Sequence, residues 1–230
     1  SMVEDHNGVL YAGGTGFWKS TDGGNTWISL PMPYPDTYWG GFVPIYRMTI
    51  TKDNALIAAF GTGYSSGDQK VYWSIDGGGT WNELFSHKYV INSIVEADDG
   101  SLLFRSGLGG TSEAGVHRYS NSTITKTFID FVNIAEPTAG LLKARDGALY
   151  LVSVDKSIDL NTTTIEYTEP GHAFLATYKS IDNGITWTQL GTLPNSWMIQ
   201  GSRIEGSDGA LYVASFSVCD EKDEVYKSTD

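Results

Sequence analysis

The chain has one cysteine, Cys219, in 230 residues, which excludes an internal disulfide and any zinc site built on cysteines. It leaves the compartment open. Long apolar runs are missing, and none nears the roughly 20 residues that a membrane-spanning helix needs. Basic side chains are scarce: 15 Lys and Arg against 27 Asp and Glu give a net charge of −12. That balance argues against a nucleic-acid or anionic-membrane partner, because phosphates call for a basic face. No secretion leader is visible, and the opening Ser1-Met2 reads as residues added ahead of an excised segment. The four histidines show no metal-binding spacing, no serine or cysteine stands in a nucleophile motif, and no phosphate-cradling loop occurs. The expectation is therefore no cofactor and no metal. Cys219-Asp220-Glu221-Lys222-Asp223-Glu224 offers carboxylates to a calcium ion but lacks fixed ligand spacing, and a charged loop is the simpler reading. Asn121-Ser122-Thr123 and Asn161-Thr162-Thr163 match the glycosylation triplet.

What the chain does have is glycine, 27 residues of it, with seven Trp, thirteen Tyr and nine Phe. This composition favours many short strands joined by tight turns. One stretch organises them: Ser74-Ile75-Asp76-Gly77-Gly78-Gly79-Thr80-Trp81. It recurs as Ser20-Thr21-Asp22-Gly23-Gly24-Asn25-Thr26-Trp27 and as Ser180-Ile181-Asp182-Asn183-Gly184-Ile185-Thr186-Trp187, and Ser228-Thr229-Asp230 begins another copy. Each full copy lies between strand-like runs, the signature of a hairpin. The Asp carboxylate can accept bonds from turn amides, the glycines permit positive φ, and the Trp (Trp27, Trp81, Trp187) anchors the turn on apolar surface. These residues read as scaffold.

A second element recurs in step: Asn7-Gly8-Val9-Leu10, Asp53-Asn54-Ala55-Leu56, Asp99-Gly100-Ser101-Leu102, Asp146-Gly147-Ala148-Leu149 and Asp208-Gly209-Ala210-Leu211, at intervals of 46, 46, 47 and 62 residues. Asn54 stands where the others have Gly, as a residue tolerant of the left-handed region can. Tyr119-Ser120-Asn121-Ser122 falls where a further serine-led turn is due, and places its motif serine at Ser120. Periods of this size with several strands each predict an all-β propeller of four-stranded blades. About five blade-equivalents are visible, within one domain spanning 1–230, as part of a six- or seven-bladed propeller or as a small closed ring. With strands lettered A to D from the centre outward, the second, third and fourth blades read as complete. The first shows only B, C and D, and the fifth only A, B and C. Unpaired edges at the two ends would have to be met by closure within the molecule or by pairing between chains.

In this strand order the A–B and C–D turns share one face, while the D–A and B–C connections share the other, which is the mouth. Function is expected among the latter. From the glycine-position turn to the next motif serine the spans are 12, 20, 20, 33 and 19 residues. The long fourth connection carries Asp155, Asp159, Glu166, Glu169 and His172, either a ligand-facing insertion or a solvated acidic loop. The D–A connections are aromatic, with Tyr38 and Trp39 before the second blade and Trp197 before the fifth. Rings beside carboxylates suit sugars, whose C–H faces pack on the ring while hydroxyls take hydrogen bonds. Packing between blades also consumes aromatics.

The Ser-x-Asp-x-Gly-x-Thr-Trp pattern resembles the Asp-box, or BNR, repeat of sialidases, of some other glycoside hydrolases, of sortilin-type receptors and of photosystem assembly factors. A longer run is similar to the opening blade of a sialidase: Tyr46-Arg47-Met48, then Asp53 to Phe60, a polar loop with Asp68, then Ser74 to Trp81. By that resemblance Arg47 is the first of three arginines gripping a substrate carboxylate, a bidentate contact that Lys cannot reproduce, and Asp68 is the acid/base. The chain departs from the pattern with Met48-Thr49 in place of Ile-Pro and with Gly61 where an arginine is usual. Arg105 and Arg203 are candidate anion partners by position. A structural role for Arg47 between blades is the competing reading. The resemblance implies a glycan or other small carbohydrate ligand and an extracellular or cell-surface setting, with turnover or binding alone both open. A protein partner is the alternative.

Overall fold

The strands follow the turns. In the computed structural model, which describes residues 1–33, 45–61, 69–106, 114–129, 140–154, 175–193, 203–217 and 222–228, every regular element is a β-strand. The first blade holds β1 (Met2–Glu4), β2 (Leu10–Gly13), β3 (Phe17–Ser20) and β4 (Ile28–Ser29), and the second β5 (Ile45–Ile50), β6 (Leu56–Phe60), β7 (Gln69–Ser74) and β8 (Asn82–His87). The third holds β9 (Ile91–Glu96), β10 (Leu102–Ser106), β11 (Gly115–Ser120) and β12 (Thr123–Ile129). The fourth holds β13 (Leu141–Lys143), β14 (Leu149–Val154), β15 (Leu175–Ser180) and β16 (Thr188–Leu193), and the fifth β17 (Arg203–Glu205), β18 (Leu211–Ser217) and β19 (Lys222–Lys227). Each sheet is antiparallel with its strands in chain order. The molecule is a five-bladed β-propeller, with four strands in each of the first four blades and three described in the fifth.

Two expectations are corrected. The first blade is not short of its inner strand: Met2–Glu4 pairs with Leu10–Ala12 as strand A. Three residues ahead of the first turn are too few to show a period, so only pairing reveals them. The degenerate turn of the third blade is also displaced by one residue. The leucine that opens strand B pairs with the motif serine in the first, second and fourth blades, as Leu10 with Ser20, Leu56 with Ser74 and Leu149 with Ser180. In the third blade Leu102 pairs with Tyr119, so Tyr119 and not Ser120 takes the serine's place. A two-residue turn, Asn121 and Ser122 both at positive φ, closes that hairpin.

The full turns have the geometry their residues dictate. Ser74 Oγ donates to Asp76 Oδ1 at 2.7 Å and accepts from the Gly78 amide at 2.8 Å. The Thr80 amide and hydroxyl donate to the two Asp76 oxygens at 2.8 and 2.7 Å. Ser20, Asp22 and Thr26 repeat the set, as do Ser180, Asp182 and Thr186. With these donors around them and in spite of what burial they have, Asp22, Asp76 and Asp182 are held down at about 2. In the third copy Asn183 takes the left-handed position that Gly77 fills in the second.

Each turn after the first leans on the preceding blade. Trp81 packs edge-on against Phe17 and donates its indole N–H to the Pro31 carbonyl at 3.3 Å. Trp187 stands edge-on to Phe128 of the third blade. Backbone amides in A–B turns reach forward in the same way: His6 to Asn54 Oδ1, Lys52 to Glu96 Oε2 and Arg145 to Glu205 Oε2. Between these latches lie three apolar clusters, centred on Phe17 with Phe60, on Ile91 with Phe104, and on Leu149 with Tyr178.

Candidate functional site

At the mouth the inner strands are tied to one another by polar groups. The Ile45 amide donates to the Gly14 carbonyl at 2.8 Å, and the Leu141 amide to Ser93 Oγ at 2.8 Å. Arg47, near the mouth end of β5, is exposed, and its Nε donates to the carbonyl of Asn92 on β9. The Ser1 ammonium donates to the Gly13 carbonyl at 2.9 Å, and its pKa is lowered first by burial and then by the charge of Arg47. Arg47 thus places a guanidinium on this part of the rim, on a chain that is acidic as a whole.

Arg105 is in a different setting. It is buried on β10, and its Nη1 donates to the Val152 carbonyl of the fourth blade at 3.3 Å. Its guanidinium belongs to the interface between blades. Arg203 lies on β17, directly opposite Val213; its side chain, Tyr46's, and all of Tyr38, Trp39, Asp68, His172 and Trp197 lie outside the described residues. The acidic insertion of the fourth blade and the Cys219 to Glu221 run lie outside them too.

One constellation had no counterpart in the sequence reading. His87 ends β8, Ser106 ends β10 and His117 is the third residue of β11, and the fold gathers all three at the mouth end of the second and third blades. His87 Nε2 lies 2.7 Å from Ser106 Oγ, and the two imidazole centroids are 4.8 Å apart. Phe104 stacks on His117 at 5.2 Å and stands edge-on to His87 at 5.1 Å. Ser106 and His117 are buried, so the hydroxyl is not presented to a substrate and the group acts as a polar clamp between blades. Among the described residues no cluster of three or more His, Cys, Asp or Glu could hold a metal ion. Nor is any described helix long and apolar enough to cross a membrane. The signal that could have found the histidine pair was strand phase. Ser106 and His117 lie on adjacent strands either side of one B–C connection, and His87 ends the neighbouring blade.

No protein-family model matches the chain. A xyloglucanase of Paenibacillus sp. is 27% identical over 217 residues, covering 80% of this chain and 19% of that protein. The chain thus spans about a fifth of the length of the curated relative it matches. Among solved structures, a protein of unknown function from Dyadobacter fermentans superposes with a TM-score of 0.59 at 13% identity, over 98% of this chain and 74% of that one. An oligogalacturonate lyase of Vibrio parahaemolyticus gives 0.58 at 8%, over 97% and 64%. A GH93 α-L-arabinofuranosidase of Fusarium graminearum, in complex with arabinobiose, gives 0.51 at 14%, over 98% and 79%. At these identities the likeness shows the propeller fold, with neighbours that include carbohydrate-active enzymes.

Proposed function

We propose that this propeller recognises carbohydrate at its mouth, as an Asp-box module of the sialidase-like kind, and that residues 1–230 form one domain of an extracellular or cell-surface protein. The observation that carries the reading is Arg47: an exposed guanidinium on an innermost strand, at the rim where this fold collects its ligands. Resemblance to a sialidase's opening blade and the carbohydrate-active neighbours support it. In the hydrolase form, Asp68 protonates the leaving oxygen while a second group attacks or stabilises the anomeric centre. Arg203, Tyr38, Trp39, Trp197 and His172 would complete the ligand's surroundings.

A second form is binding without turnover, to a glycan or a protein partner. One observation favours it: Arg105 is spent on the Val152 carbonyl, which leaves Arg47 short of one of the companions a carboxylate grip requires. A glycan array followed by turnover assays with fluorogenic sialosides, arabinofuranosides and xyloglucan oligosaccharides separates the forms. Turnover abolished by Asp68→Asn supports the hydrolase, and binding lost in Arg47→Ala without any turnover supports the module. Absence of both from every glycan refutes the proposal. Sedimentation of the purified chain tests whether its ends pair between copies.

A further inference from the structure

The face of the A–B and C–D turns, opposite the mouth, carries a cavity of about 500 Å³ between the second and third blades. That volume lies within the ordinary range of small-ligand pockets. Trp73 and Tyr119 line it, with Ile57 and Leu84 behind them, and Asp53, Glu96 and Asp99 form its polar edge beside Asn121 and Ser101.

The repeat itself marks this cavity as unusual. In the first, fourth and fifth blades the residue just before the motif serine is a lysine that stands over a tyrosine of strand B: Lys19 over Tyr11, Lys179 over Tyr150 and Lys227 over Tyr212, at 5.3 to 5.7 Å. The register gives Arg118 that position in the third blade, opposite Leu103. In the second blade the position belongs to Trp73, opposite Ile57. One residue along, the serine of the other blades is replaced by Tyr119, whose ring stacks on Phe85 at 4.6 Å and whose hydroxyl donates to the Leu84 carbonyl at 3.2 Å. Both departures from the repeat put an aromatic ring into the same cavity. Asn121, in the short turn that lacks the motif's Trp, lines the cavity as well.

We propose that this cavity is a second binding site, for a neutral saccharide. Trp73, half-buried, makes no side-chain hydrogen bond among the described residues and offers ring surface to the C–H face of a pyranose or furanose. The carboxylates accept from hydroxyls. Asp99 is already fixed: burial opposes its ionisation, but the Ser101 amide and hydroxyl and the Arg118 guanidinium hold its pKa low. Glu96 is oriented by the Lys52 amide at 2.6 Å. Asp99 is paired with Arg118, but Asp53 and Glu96 form no ion pair among the described residues, and the negative charge they leave at the cavity disfavours an anionic sugar. Hydroxyl and amide groups interleaved with the carboxylates, Ser101, Ser120 and Asn121, suit a polyol better than a point charge.

The test uses the whole chain labelled with 5-fluorotryptophan and read by ¹⁹F NMR, with Trp73→Phe assigning the Trp73 resonance. Neutral xyloglucan and arabinan oligosaccharides, cationic chitosan oligomers and anionic oligogalacturonides are titrated in turn. The expected result is a saturable shift of the Trp73 resonance by a neutral sugar, weakened by Glu96→Gln, while the affinity of the same sugar read by calorimetry falls about tenfold in Trp73→Ala. Asp53→Asn, on an exposed side chain, serves if Trp73→Ala does not fold. Saturable shifts confined to other tryptophans such as Trp39 and Trp197 would overturn this site and leave the mouth intact. A stronger response of Trp73 to chitosan than to neutral sugars would overturn the choice of ligand. Silence of Trp73 toward every neutral sugar overturns the proposal outright.

Discussion

Replacing Ser74 by alanine tests the reading of the recurrent turn as structural. The hydroxyl both donates to Asp76 and accepts from the Gly78 amide, and that amide is buried. An ordinary hydrogen bond contributes about 1 kcal/mol net, while a buried donor left without an acceptor costs about 1–3 kcal/mol. Ser74→Ala is therefore expected to lose roughly 2–3 kcal/mol, and Ser180→Ala, whose Gly184 amide is equally buried, a similar amount. Ser20→Ala should lose less, about 1 kcal/mol, because Gly24 is only half-buried and water can replace the hydroxyl. For a domain of this size each kcal/mol moves the thermal midpoint by about 2–4 °C, so the first two variants should melt roughly 4–12 °C lower. Urea unfolding followed by tryptophan fluorescence checks the order, with m-values unchanged if only stability has moved. If Ser74→Ala lies within about 0.5 kcal/mol of the parent, or no more destabilised than Ser20→Ala, the accounting for the buried amide is wrong.

The folded-state pKa values of Asp22, Asp76 and Asp182, at about 2, lie below the ordinary 3.8, so their contribution is full above about pH 4 and lost as pH falls toward 2. Midpoints measured from pH 5 to 2 should drop within that window, and the triple Asp→Asn variant should start lower and flatten the profile. Gly184→Ala meets both a φ of +76° and the Leu103 side chain of the preceding blade, whereas Gly23→Ala, at +70°, meets open space. Chemical denaturation should show the first losing more than about 1 kcal/mol beyond the second. Arg47 is exposed, so Arg47→Ala should shift the thermal midpoint by no more than about 2 °C while removing glycan binding at the mouth, as read by calorimetry.

Much of the blade plan could be read along the chain. The serine-led turns and the Gly-x-Leu element are closed by residues within eight positions of one another, so their hydrogen bonds are decided by local chemistry. Asn54, at φ +61°, takes the left-handed position expected of it. The candidate site was less legible. Arg47 was found through a motif, but the difference between an exposed Arg47 and a buried Arg105 depends on which blade lies beside each.

Turn chemistry and spacing alone determined that this is an all-β propeller with the Asp-bearing turns on one face, because each repeat carries its own folding instructions within a few dozen residues. Tertiary structure decided what adjacency and register decide. It paired Met2–Glu4 as an inner strand, moved Tyr119 into the serine's place and brought His87 to His117 across 30 residues of chain. A bulge between Val116 and His117 in one ladder, and another between Arg105 and Ser106 in its neighbour, set the phase of those side chains. Such offsets leave no mark on a period, since one extra residue in a strand changes which face every later side chain meets.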